Sequence, residues 1–151
     1  KLMAIKGTRS VDSIHKELGH IMWEYVGMGR TAEGLKTGLA KMKALEKEFE
    51  SNLFIPGTKE GLNVELDKAV HLRDFFTMGQ LVAFDALSRN ESCGGHFREE
   101  YQTEEGEAKR DDENFFYVGC WEYQGKDKDP ELIKEPLEYE AIKVQTRNYK
   151  N

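Results

Sequence analysis

The chain has 151 residues, 38% hydrophobic and 33% charged, with a net charge of −6. That is one domain by length, too apolar to be disordered and long enough to bury a core without staples. The acidic balance repels phosphate backbones and no basic patch longer than Lys109-Arg110 offsets it, so no nucleic-acid partner is expected; two cysteines, Cys93 and Cys120, are too few for a disulfide framework, and no apolar run approaches the ~20 residues of a membrane span.

Residues 1–9 have no clear period, and the start at Lys1 instead of Met reads as a piece cut from something larger. Ser10 is the first credible N-cap. Val11, Ile14, Leu18, Ile21, Met22 and Tyr25 then recur at three- and four-residue steps, the mark of an amphipathic helix, until Gly27-Met28-Gly29 stops it. Thr31 caps a second helix carrying Leu35, Leu39, Met42, Leu45 and Phe49, with Lys36, Lys41, Lys43, Glu46 and Lys47 facing outward. Pro56-Gly57 breaks the chain into a loop over 54–62. Asn63 caps a third and longer run, with Leu66, Val70, Phe76, Leu81, Phe84 and Leu87 along it as far as Arg89, and the Gly94-Gly95 step is expected to close it. Three helices joined by short turns predict an up-down-up bundle, similar to a spectrin repeat.

The character then changes. Residues 102–114 are almost wholly polar and read as a solvated charge run. Phe115 to Tyr123 carries apolar groups on both faces and reads as a strand; 125–136 supplies turn residues; Leu137, Tyr139 and Ala141 alternate with Glu138 and Glu140 as a second strand. The expectation is a mainly α chain: a three-helix bundle over 1–101, then an irregular extension over 102–151 holding a β-hairpin packed on the bundle, all one domain.

Chemistry is expected where a thiol, an imidazole, a guanidinium and carboxylates crowd into 90–100. Cys93-x-x-His96 has the spacing of half a zinc site, but no second Cys/His pair completes it, so no metal is expected. Cys93 with His96 as its base would be a nucleophile, yet no orienting carboxylate stands out among the three nearby. Gly27-x-Gly29 with Gly34 follows a helix and lacks a preceding strand, which fails the phosphate-loop context. His15, His20 and His71 sit singly on helical patterns and read as structural, and the neighbours Glu99-Glu100 and Asp111-Asp112 diverge too much for paired acid/base work. Residue types alone give a helical bundle with a polar cluster and no complete active site.

The order Asn63-x-Glu65-Leu66, then Ala86-Leu87-x-Arg89-x-Glu91-Ser92-x-Gly94-x-His96-x-Arg98-Glu99, then Arg110-Asp111-Asp112 resembles the C-terminal domain of succinate dehydrogenase and fumarate reductase flavoprotein subunits. Tyr25-Val26-Gly27-Met28-Gly29-Arg30 with Leu35 and Leu39 is similar to the first turn and second helix of that domain, and Arg147-Asn148-Tyr149 to its close. Cys93 stands where the family usually has arginine, and Gly95 where it has alanine.

The resemblance implies a parent enzyme that interconverts succinate and fumarate through FAD and passes electrons to an iron–sulfur subunit. It implies that flavin and dicarboxylate are held by FAD-binding and capping domains preceding this one, with no catalytic, cofactor-binding or metal residue here. Arg89, Glu91, Ser92, Gly94, His96, Arg98, Glu99, Arg110, Asp111 and Asp112 would form a structural or interface motif, within which Glu91, His96 and Arg98 are expected to hydrogen-bond as a cluster fixing the crossing from helix to tail. Partners would be those domains, the iron–sulfur subunit and, indirectly, a membrane anchor, on the cytoplasmic inner face of the membrane. Aspartate oxidase, adenylylsulfate reductase or a stand-alone helical interaction module are the alternatives; the acidic insert between Glu99 and Arg110 leans toward the dehydrogenase group.

Overall fold

The computed structural model describes residues 1–125 and 128–145; Arg147-Asn148-Tyr149 lies outside them. After a 3-10 turn at Leu2–Ala4 come β1 (Arg9–Ser10), α1 (Val11–Val26), α2 (Ala32–Asn52), β2 (Leu53–Phe54) and α3 (Val64–Ser88). A short α4 (Asp112–Phe115), β3 (Tyr117–Glu122) and β4 (Glu131–Pro136) follow. The helices run up, down and up as expected: Lys68 near the start of α3 pairs with Asp12 at the start of α1, 3.1 Å away. At that same end the segment before α1 pairs in parallel with the segment after α2, Arg9 opposite Leu53 and Ser10 opposite Phe54.

All three predicted caps form. Ser10, Thr31 and Asn63 each accept a hydrogen bond from the amide three residues on, satisfying one of the orphan donors of a helix start. Asn63 does more: its Nδ2 donates to the carbonyls of Pro56 (2.9 Å) and Thr58 (3.1 Å), closing the loop before α3. Replacing Asn63 by alanine removes cap and loop closure together, so a loss of about 1–2 kcal/mol is expected from the urea midpoint. Asn63→Asp, which keeps the acceptor and loses the donor, should fall between; equal losses for the two variants would mean that only the loop bonds count.

The core lies between the helices, with Ile14, Leu18, Leu35, Met42, Phe49, Leu72 and Phe76 essentially sealed from water. Phe49 and Phe76 meet at 5.7 Å between ring centroids. The predicted faces of α1 and α2 hold; that of α3 holds at Phe76 but not as a whole. Its buried residues are Ala69, Leu72, Phe76, Gly79, Ala83 and Ala86, whereas Val70 is 47% exposed. Small side chains let the neighbouring helices approach, and a Cβ on Gly79 would sit 3.1 Å from the sulfur of Met22 and 3.3 Å from that of Met42. Larger apolar residues are therefore displaced to the flanks: Leu66 and Leu87 pack at the margin of the core.

Two boundaries also differ from expectation. Helix α3 ends at Ser88, with Arg89 already extended, and Gly94-Gly95 forms a separate turn. The second strand is Glu131–Pro136, not the alternating stretch after it; Trp121 lies opposite Leu132 and Tyr117 opposite Pro136. Tyr117 and Trp121 supply most of the inward face of this hairpin, so β4 needs only Leu132 and its backbone and shows no apolar alternation of its own. Proline then lacks the amide to carry the ladder on, although the amide of Leu137 still reaches the carbonyl of Phe116 at 3.2 Å. The polar run also hides α4, capped by Asp111. Among the described residues no helix is long and apolar enough to cross a membrane.

Candidate functional site

At the end of the bundle opposite the parallel strand pair, α1 stops, α2 begins and α3 stops. Helix ends leave unpaired carbonyls at C-termini and unpaired amides at N-termini, with partial charges of matching sign. Three charged side chains answer them. The Nε of Arg30, in the corner between α1 and α2, donates to the carbonyls of Val26 (3.1 Å) and Gly27 (3.0 Å) at the close of α1. Arg98, only 2% exposed, aims Nη1 at the close of α3: 2.9 Å from the carbonyl of Ala86, 3.4 Å from Leu87 and 3.5 Å from Arg89. The carboxylate of Glu100 accepts from the amide of Ala32, the first residue of α2, and from Nε of Arg98 at 3.1 Å. Cations thus sit on the two negative helix ends and an anion on the positive one, and the Arg98–Glu100 pair joins α3 to α2.

The backbone between them is laid out to match. The amide of Arg30 bonds the carbonyl of Phe97 (3.1 Å) and the amide of Glu99 bonds the carbonyl of Arg30 (2.9 Å), so residues 97–99 run beside the α1–α2 corner. They reach it because the chain reverses at Gly94-Gly95, where Cys93 and His96 exchange backbone bonds of 2.8 and 3.0 Å. Gly94 takes a φ of +59° with open space around its Cα, so conformation and not crowding calls for glycine. Ser92, fully buried, accepts from the amide of Arg98 (2.8 Å) and donates to its carbonyl (3.1 Å).

Arg89 is the hub. Its guanidinium donates to Glu91 (2.7 Å) and to the carbonyls of Phe115 and Tyr117 (3.2 Å each), and lies over both of those rings. Buried Glu91 in turn accepts from the amide of Asp111 at 2.9 Å, the residue that caps α4. Trp121 completes the attachment of the hairpin, donating to Asp85 at 2.7 Å and packing edge-on against Phe84.

His96 is oriented by both nitrogens: Nδ1 lies 3.0 Å from Nη1 of Arg30 and Nε2 lies 3.0 Å from the carbonyl of Arg89. Since guanidinium only donates and carbonyl only accepts, the ring is neutral with its proton on Nε2. Burial lowers its pKa, and Arg30, Arg98 and Arg89 lower it further against the opposing Arg89 carbonyl. Burial likewise holds Arg30 below its ordinary value, Asp85 partly offsetting it. For Glu100, burial alone would raise the pKa, but the amides of Ala32 and of Glu100 itself, with Arg98, bring it below the ordinary value.

Glu91, His96 and Arg98 do come to one place, but without bonding one another; they meet through Arg89, whose side chain holds the first and whose carbonyl faces the other two. Ser92 and Asp111 join them, while Gly94 marks the outer turn, the Glu99 side chain is exposed, and Arg110 pairs with Asp112 at the start of α4. Arg30, Glu100 and Asp85 join the site without being marked as site residues by the sequence pattern. Arg30 carries the one signal available, a cation just past a helix stop. Glu100 offers none, because its amide partner is 68 positions away.

Elsewhere His15 stacks on Phe75 at 5.3 Å and His71 sits over the carbonyl of Asp67 at 2.9 Å. Among the described residues no group of three or more His, Cys, Asp or Glu is placed to hold a metal ion. An open groove of about 530 Å³ between α1 and α2 is lined by Glu17, His20, Trp23, Glu24, Lys41 and Glu48 among others.

A family model described as the fumarate reductase flavoprotein C-terminus matches residues 15–149. The fumarate reductase flavoprotein subunit of Serratia sp. is 33% identical over 114 residues, 76% of this chain and 18% of that one. The chloroplastic L-aspartate oxidase of Oryza sativa is 42% identical over 95 residues, 62% of this chain and 14% of that one. A chain of E. coli quinol fumarate reductase superposes with a TM-score of 0.80 at 25% identity, covering 96% of this chain and 24% of its own. The chain thus spans less than a fifth of the length of these two curated relatives.

Proposed function

Because this chain belongs to the fumarate reductase flavoprotein C-terminal family, we propose that it is the closing helical domain of a flavoprotein that interconverts succinate and fumarate through FAD. The superposition on quinol fumarate reductase over 96% of the chain is the observation that carries the reading. Electrons would pass to an iron–sulfur subunit, and a membrane anchor would hold the assembly at the cytoplasmic inner face of the membrane.

The domain itself is the structural and docking part. Its residues do not fit the flavin: Glu17, Glu24 and Glu48 along the groove between α1 and α2 oppose a diphosphate, and the guanidiniums of Arg30, Arg89 and Arg98 are committed to carbonyls and carboxylates. FAD and dicarboxylate therefore belong to the preceding domains of the parent. Within the motif, Arg98 closes the end of α3, while Arg89, Glu91 and Asp111 fix α4 and the start of β3 against the bundle, so that bundle and hairpin behave as one body within a larger protein.

L-aspartate oxidase is the second reading, favoured by the 42% identity over the shorter matched stretch. The two separate in an assay. The native protein captured from source cells with antibody to this chain should be several times heavier than 17.4 kDa, carry flavin, and reduce fumarate or oxidise succinate with an artificial electron carrier. Turnover of L-aspartate alone would move the assignment to the oxidase, and a flavin-free species at 17.4 kDa would remove both.

A further inference from the structure

The helix-end contacts of Arg30 and Arg98 do not depend on pH near neutrality, because guanidinium keeps its proton there. The link between Arg30 and His96 does. The imidazole holds Arg30 only through the lone pair on Nδ1, since Nε2–H is already given to the carbonyl of Arg89. A second proton would fill that lone pair and leave two cationic donors 3.0 Å apart. The charged groups facing the ring are Arg30 from the α1–α2 corner, Arg89 from the end of α3 and Arg98 from its own segment. Asp85 of α3 acts on Arg30, and among the described residues the charged groups that act on the ring itself are all cations.

We propose that His96 is a proton-operated latch that holds the α1–α2 corner to the 97–99 segment and releases it when the ring is protonated. What it guards is the pair of backbone bonds between Arg30 and residues 97 and 99. A second tie between the same segments, Glu100 on the amide of Ala32, stays charged until the pH falls below the ordinary carboxylate value of 4.5. Release above that pH therefore belongs to the imidazole alone, and it is local: the carbonyl contacts of Arg98 and the core packing are untouched.

The sign follows from linkage. The closed form binds the proton less tightly than the open form, in which the ring returns to about 6.5. Closure is therefore fully favoured above that value and weakens as the pH falls toward the pKa of the closed ring. Amide exchange of the full chain, read residue by residue by NMR, tests it. Protection of the Arg30 and Glu99 amides should fall by about tenfold for each pH unit across that window, while the amide of Phe76 in the core keeps its protection. In His96→Gln, whose amide can accept from Arg30 and donate to Arg89 without titrating, the dependence should vanish. If the dependence persists in that variant, the latch is not His96. Should the variant fail to fold, the nitrogen shifts of His96 in the native chain decide: an Nε2–H ring titrating below 6.5 supports the latch, and a midpoint at or above it overturns it.

Discussion

Replacing Arg98 by alanine is expected to lower the unfolding free energy by about 3–5 kcal/mol, which would leave the chain close to unfolded at 25 °C. The side chain is sealed from water and faces the carbonyls of Ala86 and Leu87 in the last turn of α3, that of Arg89 just past it, and the carboxylate of Glu100. Its removal strands the carbonyls of Ala86 and Leu87 and leaves that of Arg89 to His96 alone, and takes from Glu100 the cation that helps to keep it charged. Arg98→Lys should recover only part of the loss, since one ammonium cannot span the carbonyls and the carboxylate as a planar fork does. Urea denaturation at constant m-value measures both. A loss below about 1 kcal/mol for alanine would mean that water enters and replaces the guanidinium. In the parent flavoprotein the same substitution should reduce the yield of assembled subunit and leave dicarboxylate affinity alone; a raised KM with normal assembly would place Arg98 nearer the chemistry than its contacts suggest.

The second large effect lies at the far end of the bundle. Gly7 passes so close to α2 that a Cβ would fall on the carbonyl carbon and oxygen of Asn52, and backbone cannot step aside as a flexible side chain would. Gly7→Ala must therefore lift the segment off, breaking the bonds from Gly7 to Leu53 and from Thr8 to Asn52 and loosening Leu2, Met3 and Ile5 from the core edge. About 3 kcal/mol is expected. The cost has a ceiling, because the variant can do no worse than release residues 1–8 altogether. A chain lacking those residues should match Gly7→Ala in its urea midpoint; a variant less stable than the deletion would show that the displaced segment disturbs the bundle as well.

Much of this architecture is legible in the amino acids because it is written locally. Ser10, Thr31 and Asn63 act on amides three residues away, and the stripes of α1 and α2 follow from their own spacing. Helix α3 is harder to read because its buried face is made of alanine and glycine, while Val70, Phe75 and Met78 stay outside; apolar character there does not mark burial. β4 borrows its order from β3 and so carries no pattern of its own. At the junction the residue types were visible but the pairing was not, since Arg30 with His96 and Ala32 with Glu100 lie 66 and 68 positions apart. Polar side chains have no period, and only the docked helices bring them together.

That separation bears on the order in which the chain assembles. Neither Arg98 nor Glu100 has a helix end to close until α1, α2 and α3 have stopped beside one another, so the junction belongs to the downhill side of the folding barrier, after the helical hairpins have formed from nearer contacts. Damage to it then shows in how quickly the native state is lost, with little change in how quickly it is reached. The knot of charges at the end of the bundle is in this sense a brake on unfolding, set only when everything around it is already in place.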